Sequence, residues 1–212
     1  MLQNVSSSKK PVKTIDRQYF SQNIDSLEQE FGQNKIILNE YKLQILITLT
    51  YFPELKDKMI IFKKGKLPST MNCIPKISKL LNKPSKRAYV IRFNTKQDFK
   101  GILLKDAPFN GQIGAIGHEL SHILDYNSRN FWKIIRRVLD YLSNKSKEKY
   151  EKEIDKITIK KGFGWQLFDW ANFVLNKSSA TDKYKEFKRR IYLEPEEILK
   201  IIKTDESYNY NE

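Results

Sequence analysis

The feature that most constrains the fold of this chain is the position of its only two histidines. His118 and His122 are four residues apart in the segment 117–126, GHELSHILDY, and Glu119 directly follows the first of them. Four residues are close to one helical turn, so both imidazoles leave one face of a helix. Apolar residues fill the neighbouring positions: Ile113, Ile116, Leu120, Ile123 and Leu124. The segment therefore predicts a core helix that carries two imidazoles side by side.

Two imidazoles placed in this way can bind one metal ion. The segment contains the pattern H-E-x-x-H, and each imidazole nitrogen can bind zinc at about 2.0–2.1 Å. Glu119 lies beside the pair, where it can reach a metal-bound water rather than the metal. The alternative is a pair of ordinary helix histidines, one of them buried and hydrogen-bonded. Apolar neighbours fit both interpretations, because the metal-binding helix of a hydrolase is itself a core helix. We favour metal binding.

A catalytic zinc ion usually takes three protein ligands and leaves one position for water. The chain has no third histidine, and its single cysteine, Cys73, is a poor candidate in a hydrolytic site. We therefore expect a carboxylate downstream. In the segment 150–167, YEKEIDKITIKKGFGWQL, Glu151 and Asp155 are four residues apart and share one helical face. Glu148 and Glu153 are rival candidates, and Glu151 could also be a surface residue of a charged helix.

The two motifs together resemble those of the gluzincin group of zinc metallopeptidases, in which H-E-x-x-H is followed on a later helix by E-x-x-x-D. The resemblance covers only about residues 111–167. It implies that His118, His122 and Glu151 bind Zn²⁺ and that Glu119 is the general base. It also implies that Asp155 orients a zinc-bound imidazole. The implied activity is hydrolysis of peptide bonds in a peptide or protein substrate.

The sequence departs from this group in one respect. Many such enzymes use a further histidine to stabilise the developing oxyanion, and this chain has none to spare. A tyrosine or arginine must replace it, and the C-terminal region offers four candidates: Tyr184, Arg189, Arg190 and Tyr192. Taken one by one, each could equally be an ordinary surface or packing residue.

The distribution of apolar residues predicts an α+β fold. Residues 1–13 are polar and are expected to form a flexible N-terminal tail, and residues 14–212 a single zincin-like metallohydrolase domain. Helical patterns are followed by short strand patterns at 59–62, 70–74, 88–94 and 102–104, and then by helices to the end. We therefore expect a mostly helical domain with a small, mostly antiparallel sheet before the active-site helix. Strand 88–94 is the candidate edge at which a peptide substrate could add as an extra strand, and the alternative is a plain interior strand.

The composition bears on which kinds of partner the protein binds. The net charge of +14 invites a nucleic-acid interpretation, but only eight of the 39 basic residues are arginines, and the lysines are scattered along the chain. We therefore predict no nucleic-acid partner. The longest apolar run, LQILITLTYF, is about half of the ~20 residues that cross a bilayer. With neither a membrane span nor a signal-peptide core, the sequence predicts a cytoplasmic protein.

Two other functions remain compatible with the motifs. One is a zinc amidase or deacylase that acts on a non-peptide substrate. The other is a metal-stabilised interaction protein with weak or no hydrolytic activity. Glu119 argues against the second, because a structural zinc needs no base and usually has four protein ligands.

Overall fold

The computed structural model of the protein describes residues 9–141 and 143–209. Its helices and strands confirm the α+β class, with helices dominating. The helices are α1 (Arg17–Gln22), α2 (Ile24–Phe31), α3 (Lys42–Leu49), α4 (Phe109–Asn127), α5 (Phe131–Asp140), α6 (Asn144–Thr158), α7 (Gly164–Asn172), α8 (Asp182–Ile191) and α9 (Pro195–Thr204). The strands are β1 (Lys35–Ile36), β2 (Met59–Gly65), β3 (Met71–Pro75) and β4 (Ala88–Asn94).

The four strands form one mixed sheet in the order β1-β2-β4-β3. Strand β2 is parallel to β1 and to β4, and only β3 runs antiparallel, beside β4. The expectation of a mostly antiparallel sheet was therefore wrong. The chain between β1 and β2 includes helix α3, a crossover of the kind that parallel pairing requires. Strand direction depends on such connections, which the pattern within a strand does not reveal.

The edge of the sheet differs from the sequence prediction. Strand β4 lies between β2 and β3, and six of its seven residues are buried, so it is an interior strand. The edge strand next to α4 is instead β3. The predicted strand at 102–104 is also absent, since Leu104–Asp106 forms a 3₁₀ turn, and the two-residue β1 supplies the fourth strand.

Helix α4 is the centre of the molecule. It packs against α7, α6 and α3 and against the edge strand β3. The contact with α7 is especially close, because a Cβ at Gly114 would lie only 2.2 Å from the carbonyl oxygen of Gln166. Glycine at this position lets the two backbones approach. The histidine-bearing helix is thus held on several sides by packed elements.

Helix α6 runs beside α4 and presents a polar face to it. Thr158 donates a hydrogen bond to Ser121 of α4 at 2.9 Å, in a fully buried contact. The chain then bends at Gly162, whose φ of 93° lies in the left-handed region that favours glycine. This bend separates α6 from α7, and both helices pack on α4.

The N-terminal segment is described only in part. Residues 1–8 of the predicted tail lie outside the described residues, whereas the carbonyls of Val12 and Lys13 accept hydrogen bonds from Gln166 and Asn110. The division into a tail and one domain stays a prediction. In the described part of the chain, no helix is long and apolar enough to cross a membrane.

Candidate metal centre

Helices α4 and α6 bring three potential metal ligands together. Nε2 of His118 lies 3.1 Å from Nε2 of His122 and 3.0 Å from Oε2 of Glu151. The third distance, from Nε2 of His122 to Oε2 of Glu151, is 3.4 Å. All three residues are buried. They form a cluster that could hold a metal ion, as the two sequence motifs predict.

The spacing of these three atoms fits a small divalent ion. Ligand atoms about 2.0–2.1 Å from a tetrahedral zinc ion are about 3.3–3.4 Å from one another. The three observed separations are close to the edges of one face of such a tetrahedron. Two imidazole nitrogens and one carboxylate oxygen are also a donor set that zinc accepts. Three protein ligands leave one of four positions for a water or a substrate.

His118 is held from behind by a carboxylate. Its Nδ1 lies 2.8 Å from Oδ1 of Asp155, and the other Asp155 oxygen accepts the backbone N–H of Leu193 at 2.9 Å. Burial lowers the pKa of His118, but the hydrogen bonds with Asp155 and Glu151 outweigh it and raise this pKa to about 10. Asp155 thus fixes the ring with Nε2 toward the cluster, the orienting position that the resemblance implies.

His122 is held by a neutral group. Its Nδ1 lies 3.1 Å from the hydroxyl of Tyr150, a fully buried residue of α6. The Arg137 guanidinium lies 4.1 Å from the centre of the Tyr150 ring. Arg137 in turn forms an ion pair with Glu153 at 2.6 Å and approaches Asp125 at 3.6 Å. This chain of contacts ties α5 and α6 to the last turns of α4.

Glu151 meets the requirements of a third ligand better than its rivals. Burial alone would raise the pKa of its carboxyl, but the two histidines outweigh burial and hold that pKa well below its usual range. The carboxylate oxygen that faces away from the histidines accepts a hydrogen bond from the Tyr141 hydroxyl. By contrast, Glu153 pairs with Arg137, and Glu148 lies 3.5 Å from Lys152.

Glu119 has a buried carboxylate oxygen without a protein partner. Its Oε2 is inaccessible and accepts no hydrogen bond from the described residues. Burial raises the pKa of Glu119, and the two histidines act in the opposite direction. Buried polar atoms nearly always have a hydrogen-bond partner, so an oxygen without one in the described protein fits a group that accepts a proton from a water or a substrate.

The cluster opens into a cleft of about 1260 Å³. Strand β3 lines one side of this cleft, and helix α8 with the following Tyr192 lines the other. A second pocket of about 50 Å³ adjoins His118 and Glu119, and its other walls are mostly apolar. These walls include Ala115, Leu167, Trp170, Val174 and Leu175. The geometry provides a metal-sized cluster at the base of a groove with a small apolar recess.

The four candidate oxyanion donors occupy different positions. Tyr192 lines both the cleft and the small pocket, and its ring centre lies 5.6 Å from that of His118. Tyr184 also lines the cleft, but its hydroxyl contacts Thr70 at 3.2 Å. Arg190 is an exposed residue of the cleft wall, and Arg189 is exposed and lies 3.9 Å from Glu194. Of the four, only Tyr192 borders both the cleft and the small pocket beside His118 and Glu119.

Sequence reasoning missed three residues that contact or border the cluster: Tyr141, Tyr150 and Lys188. Tyr150 directly precedes Glu151, and Lys188 lies midway between Tyr184 and Tyr192 at intervals of four residues. The second spacing places all three on one side of a helical path and could have singled out Lys188. No comparable local pattern marks Tyr141, at the C-terminal end of α5.

Comparison of the chain with protein-family models, curated proteins and solved structures finds no match. The interpretation of the cluster therefore rests on the geometry of its own side chains. That geometry shows that His118, His122 and Glu151 form a buried group that could hold a metal ion. The gluzincin resemblance, the metal's identity and the catalytic role of Glu119 stay predictions.

Proposed function

We propose that the protein is a zinc-dependent metallopeptidase of the gluzincin type. The observation that carries this proposal is the combination of a three-ligand cluster with the orphaned Glu119 carboxylate beside it, both facing one cleft. A structural metal site would be expected to provide a fourth protein ligand and would need no neighbouring base. Three ligands plus a base are what metal-assisted hydrolysis requires.

Glu119 is the proposed general base. A zinc ion held by His118, His122 and Glu151 would supply the activation of a water molecule for attack on a carbonyl carbon. The Glu119 carboxylate has an oxygen free to accept the proton of that water, and it can then pass the proton to the leaving amine. Burial raises the pKa of Glu119, which makes its carboxylate a better proton acceptor than an exposed one.

Tyr192 is the proposed donor to the developing oxyanion. It borders the cleft near His118, and burial together with nearby acidic residues raises its pKa well above the usual value. The hydroxyl therefore keeps its proton at neutral pH and can donate a hydrogen bond. A positioned donor of this kind is worth about 10²–10³ in rate in comparable sites.

An extended peptide fits the cleft because an edge strand borders it. Strand β3 pairs with β4 on one side only, and Met71, Asn72 and Cys73 line the cleft. A substrate could add to its outer edge through backbone hydrogen bonds. The small apolar pocket beside Glu119 could then receive one apolar side chain next to the scissile bond.

The variant Glu119→Gln tests this proposal. We expect it to bind one zinc ion per chain with unchanged affinity and to lose about 10²–10⁴ in kcat, because the proton acceptor is gone. Zinc content by atomic emission and cleavage of a peptide library by mass spectrometry provide the two measurements.

The matched control is Glu148→Gln, which removes the same charge from the surface of α6 and should leave cleavage intact. A zinc-loaded wild-type protein that cleaves no peptide in the library would contradict the peptidase proposal. Zinc-dependent cleavage that survives Glu119→Gln would reject the assigned base. A metal-stabilised interaction protein would bind zinc and cleave nothing in either form.

A further inference from the structure

Two lysines face the cleft without an acidic partner. Lys188 belongs to α8 and Lys147 to α6, and both are half-buried and line the cleft. Within the described residues, neither forms an ion pair, although nine other lysines and arginines do. Neither ammonium group therefore forms a direct ion pair with a described acidic side chain of this wall.

Aromatic rings hold the two ammonium groups instead. Nζ of Lys188 lies 3.7 Å from the centre of the Tyr192 ring, and Nζ of Lys147 lies 5.0 Å from that of Phe187. A second ring flanks each lysine, Tyr184 at 5.9 Å and Tyr141 at 5.4 Å. Cation–π contacts position an ammonium group and leave its hydrogen-bond donors available.

The two charges lie near each other and near the candidate reacting groups. Burial lowers the pKa of Lys147, and the charge of Lys188 lowers it further, while Glu151 acts in the opposite direction. Lys188 likewise helps to lower the pKa of Glu119 and also borders the small pocket. A bound anion would relieve the repulsion between the two lysines.

The rest of the cleft wall does not supply that anion. Beyond Glu119 and Glu151, its acidic residues are Asp98 and Glu186, and both are exposed. Asp98 is already paired with Lys96 at 3.4 Å. The other basic residues of the wall are Lys96, Lys100, Lys183 and Arg190. The cleft thus carries more positive than negative charge outside the metal cluster.

We propose that Lys188 and Lys147 bind a carboxylate of the substrate close to the scissile bond, so that the enzyme selects acidic peptides. This inference rests on the proposed peptidase function. The carboxylate could come from an aspartate or glutamate side chain or from the C-terminus of the peptide, since both present the same acceptor to an ammonium group.

Binding of uncleaved peptides to the zinc-loaded Glu119→Gln protein tests the proposal without requiring activity. Fluorescently labelled peptides that differ only by glutamate or glutamine at each position, with a free or an amidated C-terminus, are compared by anisotropy. We expect one carboxylate to tighten binding about tenfold over its amide. The position of the effective carboxylate distinguishes the two sources.

Lysine variants of the Glu119→Gln protein test whether Lys188 and Lys147 cause the preference for the carboxylate. Lys188→Gln and Lys147→Gln should each reduce the ratio of acid to amide affinity to about twofold or less, whereas Lys188→Arg should retain it. The control Lys185→Gln removes the same charge from α8 at a position that does not line the cleft, and should keep the tenfold ratio.

Three results would overturn the inference. The first is equal binding of acids and amides, and the second is failure of every peptide to bind. The third is an acid preference that survives both lysine variants and disappears when zinc is removed, because the carboxylate would then be bound by the metal. Cleavage of neutral peptides by the wild-type protein, measured separately, shows whether the peptidase proposal itself stands.

Discussion

The two histidines of α4 both point Nε2 into the cluster, but their Nδ1 atoms have different hydrogen-bond partners. His118 contacts Asp155 at 2.8 Å, and this carboxylate is itself anchored by the backbone N–H of Leu193. His122 contacts the Tyr150 hydroxyl at 3.1 Å, and the Arg137 guanidinium lies over the ring of that tyrosine. One imidazole thus forms a hydrogen bond with an anion and the other with a neutral group.

This difference separates two effects of a residue that is hydrogen-bonded to a metal-binding imidazole: orienting the ring and changing its basicity. A carboxylate both orients an imidazole and raises its basicity, whereas a hydroxyl mainly orients it. The contact between Asp155 and His118 should therefore determine the metal affinity and its dependence on pH. The His122 side should contribute mainly the direction of the ring. The following predictions test this division.

The largest effect is expected from Asp155→Asn. The two oxygens of Asp155 contact His118 and the N–H of Leu193 separately, and asparagine replaces one of them with an NH₂ group, which cannot accept a hydrogen bond. The basicity of His118 also falls, because the negative charge beside it is lost. We expect zinc affinity to drop about 100-fold, the upper end for losing a carboxylate behind a ligand. Competition with a chromophoric chelator measures it, with Glu148→Gln as the charge-matched control on α6. A loss equal to that of the control would contradict the assigned role.

The second effect concerns pH. Although burial lowers the pKa of His118, its two carboxylate partners raise it to about 10 in the metal-free protein, so the ring is protonated below that value. Zinc binds neutral imidazole, so each ion must displace this proton. Between pH 6 and 8 we therefore expect zinc affinity to rise about tenfold per pH unit, and to fall by the same factor as pH decreases.

Calorimetry in buffers of different ionisation enthalpy measures the proton directly. About one proton should be released per zinc ion at pH 7 in the wild-type protein. Asp155→Asn should release less, because one of the two groups that raise the pKa of His118 is lost. If zinc binding releases no proton from the wild-type protein, the ring is already neutral and the proposed asymmetry of the two histidines fails.

The comparison also shows what local spacing can and cannot predict. The intervals between His118 and His122 and between Glu151 and Asp155 are single helical turns, so their shared faces follow from sequence alone. The structure brings both faces together. Tyr150 was missed because its contact with Nδ1 of His122 depends on how α6 packs on α4.

The errors in the fold prediction have the same origin. The alternating sequence of β4 predicts a strand but does not say whether that strand is an edge, because its position depends on β3 pairing beyond it. The spacing of Lys188 from Tyr184 and Tyr192 is visible in the sequence, but its place in the cleft wall depends on the packing of α8 against α6. Sequence periodicity predicts where helices and strands lie and which residues share a face. The order and direction of the strands and the residues that line the cleft depend on the tertiary arrangement, which periodicity does not reveal.

The smallest effect is expected from Tyr150→Phe, which removes only the hydroxyl behind His122. The ring still fills its buried site and still lies under Arg137, but the Nδ1–H of His122 loses its acceptor. We expect zinc affinity to fall about tenfold, the lower end for such partners, and proton release at pH 7 to stay unchanged. Tyr89→Phe, which removes a buried hydroxyl from β4, is the control for stability. If Tyr150→Phe lowers the affinity as much as Asp155→Asn or alters proton release, the neutral hydroxyl does more than orient the ring, and the division between the two histidines is wrong.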